Sequence, residues 1–198
     1  MLNIGFLASH GGSGMRAILQ AMDNGLEASA AILICNNEDA AAFAIAKRHN
    51  SPRYHLSGKT HPDPELLDHA ICAALKKHAV DLVMLSGYMK LLGPITLKAY
   101  RNRILNIHPA LLPKFGGRGM YGDRVHRAVI NNKETVSGAS VHIVTAEYDQ
   151  GPVLNQQQVT LESGETVASL REKIKQLEGR LYVDTLRKII SGEITLPA

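Results

Sequence analysis

The chain has 198 residues, enough for one domain with a proper core. Hydrophobic residues make up 45% and charged residues 20%, a globular balance that excludes a disordered or collagen-like chain. The net charge is +4 and no block of five like charges occurs, so a small anionic ligand accounts for the basicity as well as nucleic acid does.

In chain order, LNIGFLA (2–8) is a short apolar run ending in Ser-His-Gly-Gly and reads as a buried strand. No basic segment precedes it, so the N-terminus reads as a strand and not as a signal peptide. MRAILQAMDNG (15–25) has helical spacing and stops at a glycine. AAILICN (30–36) is a second apolar run, and DAAAFAIAKRHN (39–50), alanine-rich with cations in its last turn, suits a helix. RYHL (53–56) is a short strand, PDPELLDHAICAALKKHA (62–79) an amphipathic helix, and DLVMLSG (81–87) a strongly apolar strand. This β-α-β-α order implies an α/β fold: a parallel sheet with helices on both faces.

The rhythm then changes. RILNIHP (103–109) is a strand that runs into a proline- and glycine-rich loop. DRVHRAVINN (123–132) looks helical, SGASVHIVT (137–145) and PVLNQQQVTL (152–161) alternate like half-exposed strands, and 165–192 forms one long helix closed by Gly192. No apolar run reaches the ~18 residues that a membrane span needs. Cys35 and Cys72 stand far apart, which fits a reducing cytoplasm better than a disulfide framework.

Three stretches carry chemistry. SHGGSGMRA (9–17) lies between the first strand and the first helix. Its glycines permit a tight turn, its backbone amides and the helix N-terminus suit an anion, and Ser13 can cap the helix. GSGMRA also matches G-x-G-x-x-A, but Asn36 and Asn37 replace the acidic residue of a dinucleotide site. Asn106 and His108 sit two apart at a strand's C-terminal end, so both side chains point the same way. An amide and an imidazole aimed together stabilise an oxyanion or carry a proton. Asp149 lies in the tight link between two strands, where an Asx-turn is the plain alternative, and His142 shares a face with Ser140, where a core hydrogen bond is the plain alternative. The nine histidines lack metal-ligand spacing, and with no Trp a nucleic-acid stacking surface is not expected.

Together, NIHPALLP (106–113), SVHIVTAEYDQGPV (140–153) and LSGYMKLL (85–92) resemble the glycinamide ribonucleotide transformylases, a folate-dependent formyltransferase family, and the resemblance covers nearly the whole chain. It implies an open, mostly parallel twisted sheet with a Rossmann-like N-terminal half. It implies one domain over 1–198, with a phosphate-binding half to about residue 100 and a catalytic and folate-binding half beyond it. The implied reaction, a step of purine biosynthesis, moves a formyl group from 10-formyltetrahydrofolate, a co-substrate, to the amine of glycinamide ribonucleotide, without metal. On this resemblance Asn106, His108 and Asp149 are catalytic, with Asp149 raising the pKa of His108, and Ser140 and His142 support them. Gly11, Gly12, Ser13, Gly14, Lys175 and Glu178 take the phosphate and ribose. Met89, Lys90, Leu91 and Leu92, with Thr145, Ala146, Glu147 and Tyr148, take the folate.

The resemblance also implies a cytoplasmic enzyme of small molecules, monomeric or homodimeric, with neither nucleic acid nor membrane as partner. Two departures touch the acceptor side. Gly14 stands where the family commonly has asparagine, and KFGGRGMYGDRVH (114–126) replaces a shorter loop, with His126 where the loop histidine is expected. Four glycines in 115–122 suggest a lid. A folate-dependent formyltransferase for another phosphorylated or sugar-nucleotide amine is one alternative, and an NAD(P)-binding oxidoreductase is another.

Overall fold

A computed structural model describes residues 1–197. The elements are β1 (Leu2–Ala8), α1 (Ser13–Asp23), β2 (Ala28–Cys35), α2 (Ala42–Arg48), β3 (Arg53–His55), α3 (Pro64–Lys77), β4 (Leu82–Leu85), α4 (Pro94–Ala99), β5 (Ile104–His108), α5 (Asp123–Asn131), β6 (Val136–Ile143), β7 (Val153–Thr160) and α6 (Val167–Ile190). The strands form one open sheet in the order β3-β2-β1-β4-β5-β6-β7. The chain divides into two compact units, residues 1–105 with 196–197, and residues 106–195, so that β5 passes from the first to the second at Asn106.

In the first unit β1 pairs in parallel with β2 and β4, β2 with β3, and β4 with the start of β5. Parallel strands covered on both sides need apolar residues without alternation. Accordingly all four residues of β4 and the last five of β1 are buried. Helix α3 begins where the sequence supplies a cap: the Asp63 carboxylate accepts the amides of Glu65 and Leu66 at 2.8 and 3.2 Å, and Pro64 occupies the first helical position. Lys76 and Lys77 oppose the negative end of its dipole.

The second unit is different in kind. β6 and β7 are antiparallel, with Ser140 opposite Gln156. β7 is largely exposed, as a sheet edge with one wetted face should be. Helix α6 opens with a capping box between Thr166 and Ser169 and buries Leu170, Ile174, Leu177 and Leu181, spaced four, three and four. Truncating one of these leucines to alanine costs about 2–5 kcal/mol.

One local expectation needs correction, and one element was not anticipated. Ser13 does not cap α1 with its side chain: it is the first helical residue, and Gly12 precedes it at φ 60°, a left-handed conformation that glycine adopts without a Cβ penalty. Helix α4 has no counterpart in the sequence reading, because six residues are too few to show a period.

Candidate active site

The residues of the NIHPALLP stretch and of the link after β6 converge within the second unit. Asn106 and His108 end β5 with one residue between them, as the strand period requires. His142, on β6, brings its Nε2 to 3.1 Å from Asn106 Nδ2 and 3.5 Å from Asp149 Oδ1, while its Nδ1 lies 3.0 Å from the Ile143 carbonyl. Asp149 Oδ2 lies 3.5 Å from His108 Nδ1. Asp149 stands at φ 56°, a left-handed position that aspartate tolerates, in the link that joins β6 to β7. His108, His142 and Asp149 are nearly inaccessible to solvent.

These distances restrict the tautomers. The Phe115 carbonyl is 2.7 Å from His108 Nε2 and can only accept, so that nitrogen carries a proton. In the neutral ring Nδ1 then holds the lone pair, next to Asp149. In the neutral His142 ring Nδ1–H donates to the Ile143 carbonyl, and Nε2 accepts from the Asn106 amide, whose second N–H stays available. Asp149 Oδ2 also accepts the Gly117 amide at 3.0 Å.

Burial is the largest influence on His108 and lowers its pKa, against the raising effects of Asp149 and the Phe115 carbonyl. Asp149 lifts this histidine as expected, but the net direction is down, because removing the ring from water outweighs one carboxylate at 3.5 Å. Asp149 itself is lowered. Burial alone raises it, but His142, which donates from Nε2 to Oδ1 when its ring is protonated, the charge of His108 and the Gly117 amide together prevail.

Ser140 does not touch this cluster. Its fully buried hydroxyl accepts the Leu112 amide at 3.0 Å and donates to the Ala110 carbonyl at 2.6 Å. Gln156 donates to that hydroxyl at 2.8 Å and to the Leu112 carbonyl at 2.9 Å. The loop leaving His108 is thus fixed by hydrogen bonds at three successive peptides. His126 is buried on α5, and its Nδ1 has no hydrogen-bond partner among the described residues. On α6, Lys175 is exposed and Glu178 half-buried. The Glu178 carboxyl is pushed up to about 7 by desolvation, opposed by Lys175. Partial exposure of the whole residue is compatible with a carboxyl group surrounded by protein. Thr145, Ala146, Glu147 and Tyr148 form an exposed run directly before Asp149.

The remaining predicted residues lie in the first unit. Gly11, Gly12, Ser13 and Gly14 lead from β1 into the N-terminus of α1, where Met15 donates its amide to Ser86 Oγ at 2.8 Å. Met89, Lys90, Leu91 and Leu92 form a loop after β4. Met89 and Leu91 are 45% and 55% exposed, and Leu92 is buried. Together with other first-unit loops, Lys90, Leu91 and Leu92 line a cleft of about 1000 Å³. Sequence reasoning missed the contacts of Phe115, Gly117 and Gln156. The first two act through backbone atoms, which every residue carries, and the third lies in a run of three glutamines whose register only the sheet reveals. Among the described residues no group of three or more His, Cys, Asp or Glu is placed to hold a metal ion, and no helix is long and apolar enough to cross a membrane.

The family model for formyl transferases matches residues 2–186. Phosphoribosylglycinamide formyltransferase of Bacillus subtilis (strain 168) is 30% identical over 191 residues, covering 96% of this chain and 95% of that protein. The chloroplastic phosphoribosylglycinamide formyltransferase of Arabidopsis thaliana is 35% identical over 188 residues, and the chain spans only 64% of its length. Among solved structures, glycinamide ribonucleotide transformylase 1 from Symbiobacterium toebii is similar with a TM-score of 0.91 and 35% identity, over 100% of this chain and 92% of that one.

Proposed function

The chain belongs to the formyl transferase family, and from that premise we propose that it transfers a formyl group from 10-formyltetrahydrofolate to the amine of glycinamide ribonucleotide, a step of purine biosynthesis. The observation that carries the reading is the cluster of Asn106 and Asp149 around the buried His108 and His142. Relatives named phosphoribosylglycinamide formyltransferase support the choice of substrates.

In this reading the acceptor amine attacks the formyl carbon, and the carbonyl oxygen gains negative charge. Asn106 donates its second N–H to that oxygen, while the first holds Asn106 against His142. His108 takes the proton released by the amine at Nδ1, because Nε2 is occupied by the Phe115 carbonyl. Asp149 then faces an imidazolium, and the pair is charge-matched in a buried place. The C–N bond to the folate breaks, the formyl carbonyl re-forms, and the same proton passes to the departing nitrogen. A neutral His108 at the start is what burial favours. No step calls for a metal.

In the first unit the N-terminus of α1 is assigned to the phosphate and Met89–Leu92 to the folate. In the second, Lys175 is assigned to the phosphate, Glu178 to the ribose and 145–148 to the folate. Exposed apolar side chains at Met89 and Leu91 fit its flat ring. Two free, buried cysteines suit a reducing compartment such as the cytoplasm. The enzyme would work as a monomer or homodimer, on small molecules, with neither nucleic acid nor membrane.

The test is direct: the purified chain is mixed with 10-formyltetrahydrofolate and glycinamide ribonucleotide, and deformylation of the folate is followed by absorbance. Turnover dependent on this amine supports the assignment. Turnover only with a different phosphorylated or sugar-nucleotide amine would move the acceptor and keep the chemistry. No turnover with any amine would remove the reading.

A further inference from the structure

The loop after β4 is short, exposed and apolar at its tip, yet both its ends are held by buried side chains from elsewhere in the first unit. At its start, Ser9, which is 1% exposed, accepts the Met89 amide on its hydroxyl at 2.8 Å. At its finish, the loop runs into α4, whose own N-cap, Gly93, has no side chain to cap with. The capping group comes from α3. Asp68, 3% exposed, accepts the Ile95 amide on Oδ2 at 2.7 Å, and accepts the Thr96 amide and hydroxyl on Oδ1 at 3.1 and 2.5 Å.

Gly93 makes room for this arrangement. A Cβ there would stand 2.2 Å from Asp68 Oδ2, closer than any real contact. A carboxylate removed from water needs such partners, and helix amides at the positive end of the dipole are suitable ones. We propose that Asp68 and Ser9 are positioning residues that hold Met89–Leu92 in its ligand-ready shape, so that the formyl donor meets a rigid platform. The proposal rests on the reading that this loop receives the folate.

The chemistry makes a mild variant informative. Asp68→Asn keeps the shape and replaces one acceptor oxygen with an NH2 group. Whichever way the amide turns, that group meets a backbone N–H, of Ile95 or of Thr96, and a buried donor loses its acceptor. Ser9→Ala leaves the Met89 amide without its acceptor and removes only one hydroxyl. The loss falls on preorganisation of the loop, hence on binding of the ligand that uses it.

The experiment varies the formyl donor and the acceptor amine separately in steady state, and measures equilibrium binding of a non-reactive folate analogue by calorimetry. Asp68→Asn is expected to raise KM for the donor and Kd for the analogue by about tenfold or more, Ser9→Ala by about threefold to tenfold, with KM for the amine unchanged. Unchanged donor KM and analogue Kd in both variants would overturn the proposal, as would a parallel rise in both KM values. Leu91→Asp separates the two layers. If it leaves analogue binding intact, the loop is not the folate platform, and the proposal falls with that reading. If it abolishes binding while Asp68→Asn and Ser9→Ala bind normally, the reading stands and the proposal alone falls. Should Asp68→Asn fail to fold, Ser9→Ala decides.

Discussion

The two units build their sites from different materials. In the first, the residues we assign to ligands offer backbone amides and exposed apolar side chains: the amides heading α1 after Gly12, and a loop whose ends Ser9 and Asp68 hold. In the second, four side chains converge, three of them titratable, and their protons decide what the site does. Backbone groups do not titrate at any pH near neutrality, whereas an imidazole is the side chain whose charge changes closest to it. The first unit is therefore suited to binding that ignores pH, and the second to chemistry that depends on it.

The largest expected effect tests the second half of that contrast. His108→Ala should lower kcat by about 10²–10⁴ while leaving folate affinity nearly intact, measured by steady-state kinetics and calorimetry. Asn106→Ala removes the oxyanion donor and should cost about 10²–10³ in kcat. Near wild-type turnover in either variant would break the comparison, because the titratable cluster would then be ornament.

Asp149→Asn sharpens it. Asp149 raises the His108 pKa against a larger effect of burial, so the neutral amide should let that pKa fall further. The acid limb of the kcat/KM profile should move to lower pH, and kcat should fall about 10²-fold because the imidazolium loses its counter-charge. An acid limb that stays in place would mean that another group titrates there.

How much of this was legible depends on how each feature is written in the chain. The parallel strands were, because burial on both sides leaves runs such as LNIGFLA and LVML without polar interruption. Asn106 and His108 were, because strand period alone puts them on one side. Asp149 and His142 were legible as residues but not as partners, since β6 and the link after it meet β5 only through the fold. The net direction of the His108 pKa was not, because desolvation sums over every neighbour and no motif records it. The hold on the loop after β4 was not either: Asp68 sits mid-helix in a sequence where it reads as a solvated charge, 27 and 28 residues from the amides it caps.

A smaller effect is expected on the binding side. Lys175→Ala should raise KM for the amine substrate about tenfold, the worth of one charge-assisted hydrogen bond, and spare KM for the folate. A rise in the folate KM instead would show that the two ligands have been assigned to the wrong residues.

The smallest prediction concerns Glu178, the one ribose-assigned group that titrates. Desolvation pushes its carboxyl up to about 7, above the 4.5 of an ordinary glutamate, despite the nearby Lys175. Between those two values the folded chain binds a proton at this site that the unfolded chain does not. The contribution to stability is therefore fully present at the acid end of the window and is lost as pH rises from about 4.5 to 7. Glu178→Gln carries no charge at either end and should lack this loss. Urea unfolding at several pH values should show the variant gaining on the parent as pH rises through the window and running parallel to it above. The same ionisation should make KM for the amine substrate vary with pH near 7 in the parent and flatten it in the variant. Parallel stability curves throughout would mean that the carboxyl is solvated, and that binding in the second unit is as indifferent to pH as binding in the first.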